Sequence, residues 1–148
     1  MTKEEVALIK QSWKTLRDVN PHIIGDVFYT KLFLDAPGLK SLFTNSIHSQ
    51  SEKLIGMLNV IVARLEDLEA LRNDIQALAL RHKNYGVKPA HYDLVGNALL
   101  WTLEKAFGLQ WNEPLAKAWL KCYTVLATVM LTAVEENRYE NKINTNPA

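Results

Sequence analysis

The sequence predicts an all-α fold of seven or eight helices, and three observations support that prediction. Apolar residues recur every three or four positions through most of the chain, as they do on one face of a helix. No segment alternates apolar and polar residues in the way a strand does. The 148 residues suffice for one domain with a sizeable core. We expect that domain to span residues 1–140 and a flexible tail to occupy 141–148.

The first two helices have recognisable start signals. Thr2 and Glu5 fit a capping box, and the helix that they begin should run to about Arg17. Asn20 and Pro21 supply a cap and a first-turn proline for the second helix. A short third helix is expected to begin at Pro37, and a loop is expected over 44–50. The next helix is expected over about 51–68, and the helix after it is expected to end near 84–89. The last two helices are expected over about 89–107 and 113–139.

The composition argues against several classes of partner. With 17 basic and 16 acidic residues the formal net charge is +1, which provides no field for binding nucleic acid or an anionic membrane. The longest apolar run, VLATVMLTAV (125–134), is too short to span a bilayer, and the N-terminal MTKEEVALIK does not resemble a signal peptide. A single cysteine, Cys122, excludes an intrachain disulfide and suits a reducing compartment. We therefore expect a cytoplasmic protein with no nucleic-acid or membrane partner.

The common motifs for catalysis and cofactor binding are absent from the sequence. It contains no Cys-x-x-Cys, no His-Glu-x-x-His and no Gly-x-Gly-x-x-Gly. A zinc site and a dinucleotide site therefore have no support. Adjacent acidic residues such as Glu66 and Asp67 are typical of solvated helix faces.

One histidine lies where an apolar helix face should continue. Leu78, Ile75 and Leu71 precede His82 by four, seven and eleven residues, which are same-face steps in a helix. The imidazole should therefore point inward. It either forms a hydrogen bond within the core or meets a bound group, and its position alone does not decide between the two.

Two further polar side chains share this inward placement. Gln50 heads the apolar stripe that continues at Leu54, and Tyr29 lies on the same face as Gly25 and Leu32. For each residue alone, burial with an internal hydrogen bond is the simpler interpretation. Three inward polar groups in one small domain favour a bound group that satisfies them, because each unpartnered group costs about 1–3 kcal/mol.

Several segments together resemble a globin. They are GDVFYTKLF, LKSLF, SQSEKL, RHKNYGVKPAHYDLVGNALL and AWLKCYTVLATVM, and they cover the chain to about Tyr139. More narrowly, the chain is similar to the haem domain of flavohaemoglobins and to single-domain bacterial haemoglobins. The resemblance implies a globin fold around a haem pocket. Because Cys-x-x-Cys-His is absent, it implies a non-covalent b-type haem.

The resemblance also implies roles for individual residues. His82 matches the proximal histidine that ligates the haem iron, and Phe43 matches the aromatic residue packed on the porphyrin. Gln50 and Tyr29 match the distal positions that form hydrogen bonds to a gaseous ligand. The other haem contacts implied are Leu54, Leu78, Val87, Tyr92 and Val95. Lys53 matches a position that reaches a haem propionate, although an exposed lysine without that role is an equal alternative.

A second layer is implied around the proximal histidine. Tyr92 and Glu136 match a tyrosine and a glutamate that flank it in flavohaemoglobins. Glu136 continues a stripe through Cys122 and Ala133, so its carboxylate is a candidate acceptor for the free N–H of His82. Such a bond would give the ligand imidazolate character and favour O–O bond chemistry. Alternatively, the helix leaves the core at this point and Glu136 is exposed.

Two classes of function follow from the resemblance. The first is reversible, high-affinity O₂ binding or transport at a five-coordinate haem iron, with CO and NO as further ligands. The second is an enzyme, either an NO dioxygenase or a peroxidase-like protein. Because no dinucleotide fingerprint is present, such an enzyme would need a separate reductase. A helical protein without a cofactor is the remaining alternative.

Overall fold

The structure is a computed structural model that describes residues 1–145, and all of the regular elements in that range are helices. This confirms the predicted all-α class. The α-helices are α1 (Lys3–Leu16), α2 (Pro21–Asp35), α3 (Ile47–Ala63), α4 (Arg72–Asn84), α5 (His91–Phe107) and α6 (Glu113–Thr145). Short 3₁₀ helices lie at Pro37–Leu42, Leu65–Leu71 and Gly108–Gln110.

The start signals read from the sequence are confirmed at α1 and α2. The Glu5 amide donates to the Thr2 hydroxyl at 3.1 Å, and the Thr2 amide donates to the Glu5 carboxylate at 3.3 Å. At α2 the side-chain oxygen of Asn20 accepts from the amide of His22 at 2.9 Å, and Pro21 is the first helical residue.

The predicted loop over 44–50 is wrong for its second half. Ser46 caps α3, and its hydroxyl accepts from the amide of Ser49 at 3.1 Å. This bond satisfies one of the free donors at the helix start, so a run of polar residues enters the helix. Gln50 therefore lies in the first turns of α3 and not in a flexible loop.

The last helix is longer than the sequence predicts. It continues to Thr145, so five residues of the predicted flexible tail are helical, and residues 146–148 lie outside the described part of the chain. By length and composition alone, Glu113–Ile143 would also suit a membrane span, because an 18-residue window within it has a mean hydropathy of 1.2. A core helix passes the same test. Buried residues recur along α6 every three or four positions, at Leu115, Ala118, Trp119, Cys122, Leu126, Met130 and Ala133.

Two of the helices, α3 and α4, are not packed closely against each other among the described residues. The close pairs are α2 with α3, α2 with α5, α4 with α6, and α1 with α6. Within residues 1–145, α3 and α4 are not a closely packed pair. Apolar side chains on these two helices, including Leu54, Met57 and Leu78, are only half-buried although they adjoin the core. Further apolar surface could cover these side chains, and we call the region between α3 and α4 the cleft.

Candidate functional site

His82 is held by the backbone of its own helix. Its Nδ1 atom lies 2.8 Å from the carbonyl oxygen of Leu78, one turn earlier in α4. A carbonyl can only accept, so Nδ1 carries the hydrogen and Nε2 is left as an acceptor. Burial lowers the pKa of His82, although the bond to Leu78 opposes this shift. The side chain is therefore a neutral imidazole, which is the form that ligates metals.

The expected bond between His82 and Glu136 is not formed in the structure. Glu136 is exposed, and the N–H of His82 is taken by Leu78. The charge of Glu136 instead contributes to a raised pKa of Arg72, after the larger effect of Glu69. The face of α6 toward α4 is occupied by Asn137, whose side-chain oxygen accepts from Lys83 Nζ at 3.1 Å.

Tyr92 is half-buried on α5, where burial raises the pKa of its hydroxyl. Its backbone carbonyl accepts a short hydrogen bond from the hydroxyl of Tyr123 on α6. Gly96 makes this possible, because a Cβ atom there would lie 2.5 Å from Cε1 of Tyr123. Tyr123 was not predicted from the sequence. The feature that could have indicated a close contact here is Gly96, a glycine within a helix.

Tyr29 and Gln50 come together where α2 packs against α3. The Tyr29 hydroxyl donates to the backbone carbonyl of Gln50 at 3.4 Å, which is a long bond. Tyr29 is only 6% exposed, and burial raises its pKa to about 12. The hydroxyl therefore remains a protonated donor across the physiological range. Phe43 packs edge-on against Tyr29 with ring centroids 5.3 Å apart.

A close crossing of α2 and α3 brings Tyr29 to this position. A Cβ atom on Gly25 would lie 1.8 Å from the hydroxyl oxygen of Ser51, so only glycine fits at this crossing. Ser51 is fully buried and donates to the carbonyl of Ile47 at 2.7 Å. Tyr29 follows Gly25 by one turn on the same face of α2.

Replacing Gly25 with alanine should destabilise the fold. The added methyl group collides with a buried neighbour, and such overpacking costs about 1–3 kcal/mol. We expect thermal unfolding monitored by circular dichroism to show a Tm lowered by several degrees. Adding Ser51→Gly should recover part of the loss, because it removes the atoms nearest to the new methyl group.

Gly56 offers a matched control for that substitution. It lies within α3, and a Cβ atom there would meet nothing within 4 Å. Gly56→Ala should therefore stabilise the protein by about 0.5–1 kcal/mol through the better helix propensity of alanine. Equal melting temperatures for the Gly25 and Gly56 variants would contradict the close crossing.

The remaining predicted contacts have the exposure expected of cleft walls. Phe43, Leu54, Leu78, Val87 and Val95 are all half-buried. Lys53 is exposed, which is compatible with contact to a haem propionate and also with a surface lysine that has no such role. Val87 follows a tight turn at Gly86 (φ 96°), and its amide donates to the carbonyl of His82 at 3.0 Å.

These residues fit a haem group better than a bare metal ion. No cluster of three or more His, Cys, Asp or Glu side chains suited to a metal occurs in the described range. A single neutral histidine cannot hold an ion firmly, but it is a sufficient protein ligand for an iron whose other ligands come from a porphyrin. The half-buried apolar walls offer the surface that such a ring would cover.

The comparisons with known proteins agree with this geometry. The family model described as Globin matches residues 26–130. Neuroglobin-2 of Oncorhynchus mykiss is 30% identical over 145 residues, covering 88% of this chain and 90% of that protein. The flavohemoprotein of Vibrio cholerae is 27% identical over 134 residues, covering 88% of this chain. The chain spans only 34% of that longer relative.

Solved structures show the same architecture. The bacterial globin of Campylobacter jejuni superposes with a TM-score of 0.79 at 28% identity, covering 94% of this chain and 99% of that chain. An engineered carbene transferase, a candidate nitric oxide dioxygenase from Rhodothermus marinus, has a TM-score of 0.82 at 24% identity, covering 97% of this chain and 99% of its own. The second likeness concerns the fold alone.

Proposed function

Because the chain belongs to the globin family, which implies haem binding, we propose that it binds O₂ reversibly and with high affinity at a five-coordinate b-type haem. The observation that carries the proposal is the buried, protonated hydroxyl of Tyr29 beside Gln50. A neutral donor at that point stabilises a ligand with partial negative charge more than it stabilises an uncharged one.

The residues that would hold the haem are those that line the cleft. His82 would ligate the iron through Nε2, the atom that its bond to Leu78 leaves as an acceptor. Apolar contacts would come from Phe43, Leu54, Leu78, Val87 and Val95, and Lys53 would reach a propionate at the exposed edge. When bound, the haem supplies an iron centre with one open position for a diatomic gas.

The other histidines support five-coordinate iron in the absence of gas. His48 is exposed, and its ring stacks on that of His22 with centroids 4.3 Å apart. His91 accepts from the amide of Lys88 at 3.0 Å through Nδ1. Each of these side chains has another partner in the structure, so His82 remains the candidate iron ligand.

The environment of His82 favours gas binding over peroxidase-like chemistry. A carboxylate partner would strengthen the electron donation of the ligand, whereas a backbone carbonyl does so much less. Leu78 supplies a carbonyl, and Glu136 stays in solvent. We therefore rank peroxidase-like activity below reversible O₂ binding as the proposed function.

NO dioxygenase activity is the second candidate. It is supported by the similarity to the Vibrio cholerae flavohemoprotein and by the Tyr29 donor, which would retain O₂ long enough for NO to arrive. We propose that the electrons for this reaction come from a separate reductase.

The deciding experiment combines stopped-flow O₂ release with NO consumption in the presence of a supplied reductase. We expect a five-coordinate ferrous spectrum and O₂ release slowed about 5- to 150-fold relative to a pocket without donors, since two hydrogen bonds contribute roughly 1–3 kcal/mol. A purified protein that takes up no haem would overturn the proposal. Sustained NO consumption with nitrate as the product would establish the second candidate.

A further inference from the structure

The first turns of α2 and α3 meet in a cluster of three titratable side chains, which we call the histidine cluster: His22, His48 and Glu52. The two imidazole rings stack with centroids 4.3 Å apart and planes within 8° of parallel. His22 Nε2 lies 3.0 Å from a carboxylate oxygen of Glu52. Glu52 follows His48 by one helical turn, so one histidine of α2 bridges two positions on α3.

We propose that the histidine cluster positions the distal site by holding the first turn of α3 against α2. The inference rests on the proposed function, since it concerns the same ligand pocket. Its residues touch neither haem nor gas and act through Gln50 and Tyr29.

Connectivity links the cluster to the distal site over a short distance. Gln50 lies midway between His48 and Glu52 in sequence, and its carbonyl accepts from the hydroxyl of Tyr29. Any movement of the first turn of α3 relative to α2 therefore changes that contact. The buried crossing at Gly25 and Ser51 lies beside this turn, so the cluster fixes its solvent side while the crossing fixes its inner side.

The test measures gas release and amide hydrogen exchange in the haem-loaded, full-length protein. O₂ release should become about fivefold faster in Glu52→Ala than in the wild type, the loss expected when one neutral hydrogen bond is weakened. CO release should change less than about twofold, because CO is a weaker acceptor. Exchange of the amides of residues 47–53 at a fixed pH should rise in Glu52→Ala, which removes the link to His22.

A second pair of variants tests the stacking. His48→Ala removes the stacked ring and should speed O₂ release, whereas His48→Phe keeps an aromatic ring and should release O₂ at the wild-type rate. Glu104→Ala is the matched control, because it removes an exposed carboxylate that lies outside α2 and α3. It should behave like the wild type in both measurements.

Two results would overturn the proposal: unchanged exchange of residues 47–53 in Glu52→Ala, or a wild-type rate of O₂ release in both Glu52→Ala and His48→Ala. The exchange measurement needs no gas, so it tests the cluster even if the O₂-binding proposal fails. That failure would be recognised separately, by a haem-loaded ferrous protein that does not bind O₂.

Discussion

Replacing His82 with alanine should abolish stable haem binding. α4 offers no second inward donor near this position, and the other histidines are held elsewhere by His22–His48 stacking and by the bond from Lys88 to His91. Loss of a supporting partner alone typically weakens metal binding about 10- to 100-fold, and loss of the ligand itself should cost at least as much. The haem content per chain and the visible spectrum of the purified variant measure the effect.

Two matched variants show whether the loss is specific to the ligand. His91→Asn removes a histidine but keeps a side-chain acceptor for the Lys88 amide, so it should retain normal haem content. His82→Gly should also lose haem, and added imidazole should restore the five-coordinate ferrous spectrum by filling the vacated space. A normal ferrous spectrum in His82→Ala would contradict the proposed ligand.

Features that depend on a few neighbouring residues were predictable from the sequence. The capping box at Thr2 and the Asn20-Pro21 start act within one helical turn, and both appear as expected. The half-buried position of His82 also agrees with its helical spacing from buried Ile75 and Leu71. The all-α class followed from the same periodicity.

Glu136 shows where the periodicity argument fails. Its inward position was expected by extending a stripe over many turns of one helix. A helix of 3.6 residues per turn drifts relative to any repeat of whole residues, so small errors accumulate along its length. In the structure the buried stripe passes through Met130 and Ala133 to half-buried Asn137, and Glu136 falls one position outside it.

Contacts between distant segments could not be read from the sequence at all. Tyr123 and Tyr92 are 31 residues apart, and His22 and Glu52 are 30 apart. Their approach depends on how α2, α3, α5 and α6 cross, and periodicity describes only which face of each helix is buried. The prediction that Tyr29, Gln50 and His82 share one pocket came from the resemblance to globins, because the helix arrangement of that fold is known.

Replacing Tyr29 with phenylalanine should accelerate O₂ release. O₂ bound at the proposed site would carry partial negative charge, and we propose that the buried Tyr29 hydroxyl is the donor that stabilises it. In the structure this hydroxyl donates to the Gln50 carbonyl at 3.4 Å. That bond is long and therefore weak, so little stabilisation is lost when the hydroxyl turns toward a ligand.

The expected effect can be bounded from the strength of one neutral hydrogen bond. At about 0.5–1.5 kcal/mol, its loss should speed O₂ release about two- to twelvefold. Phenylalanine keeps the edge-on contact with Phe43, so the pocket shape changes little. CO is a weaker acceptor, and its release should change less than about twofold. Because burial raises the pKa of Tyr29 to about 12, the wild-type rate should not reflect ionisation of this hydroxyl at pH 7–9.

Stopped-flow displacement of O₂ and of CO from the wild type, Tyr29→Phe, Gln50→Leu and the double variant measures these rates. If Tyr29 and Gln50 each donate to the ligand, the two single variants should both speed O₂ release, and the double variant should be faster than either. Equal acceleration of O₂ and CO in Tyr29→Phe would mean that Tyr29 acts through pocket shape. No change with either gas would mean that the hydroxyl stays on the Gln50 carbonyl, and the Gln50→Leu rates would then show whether the glutamine amide is the donor.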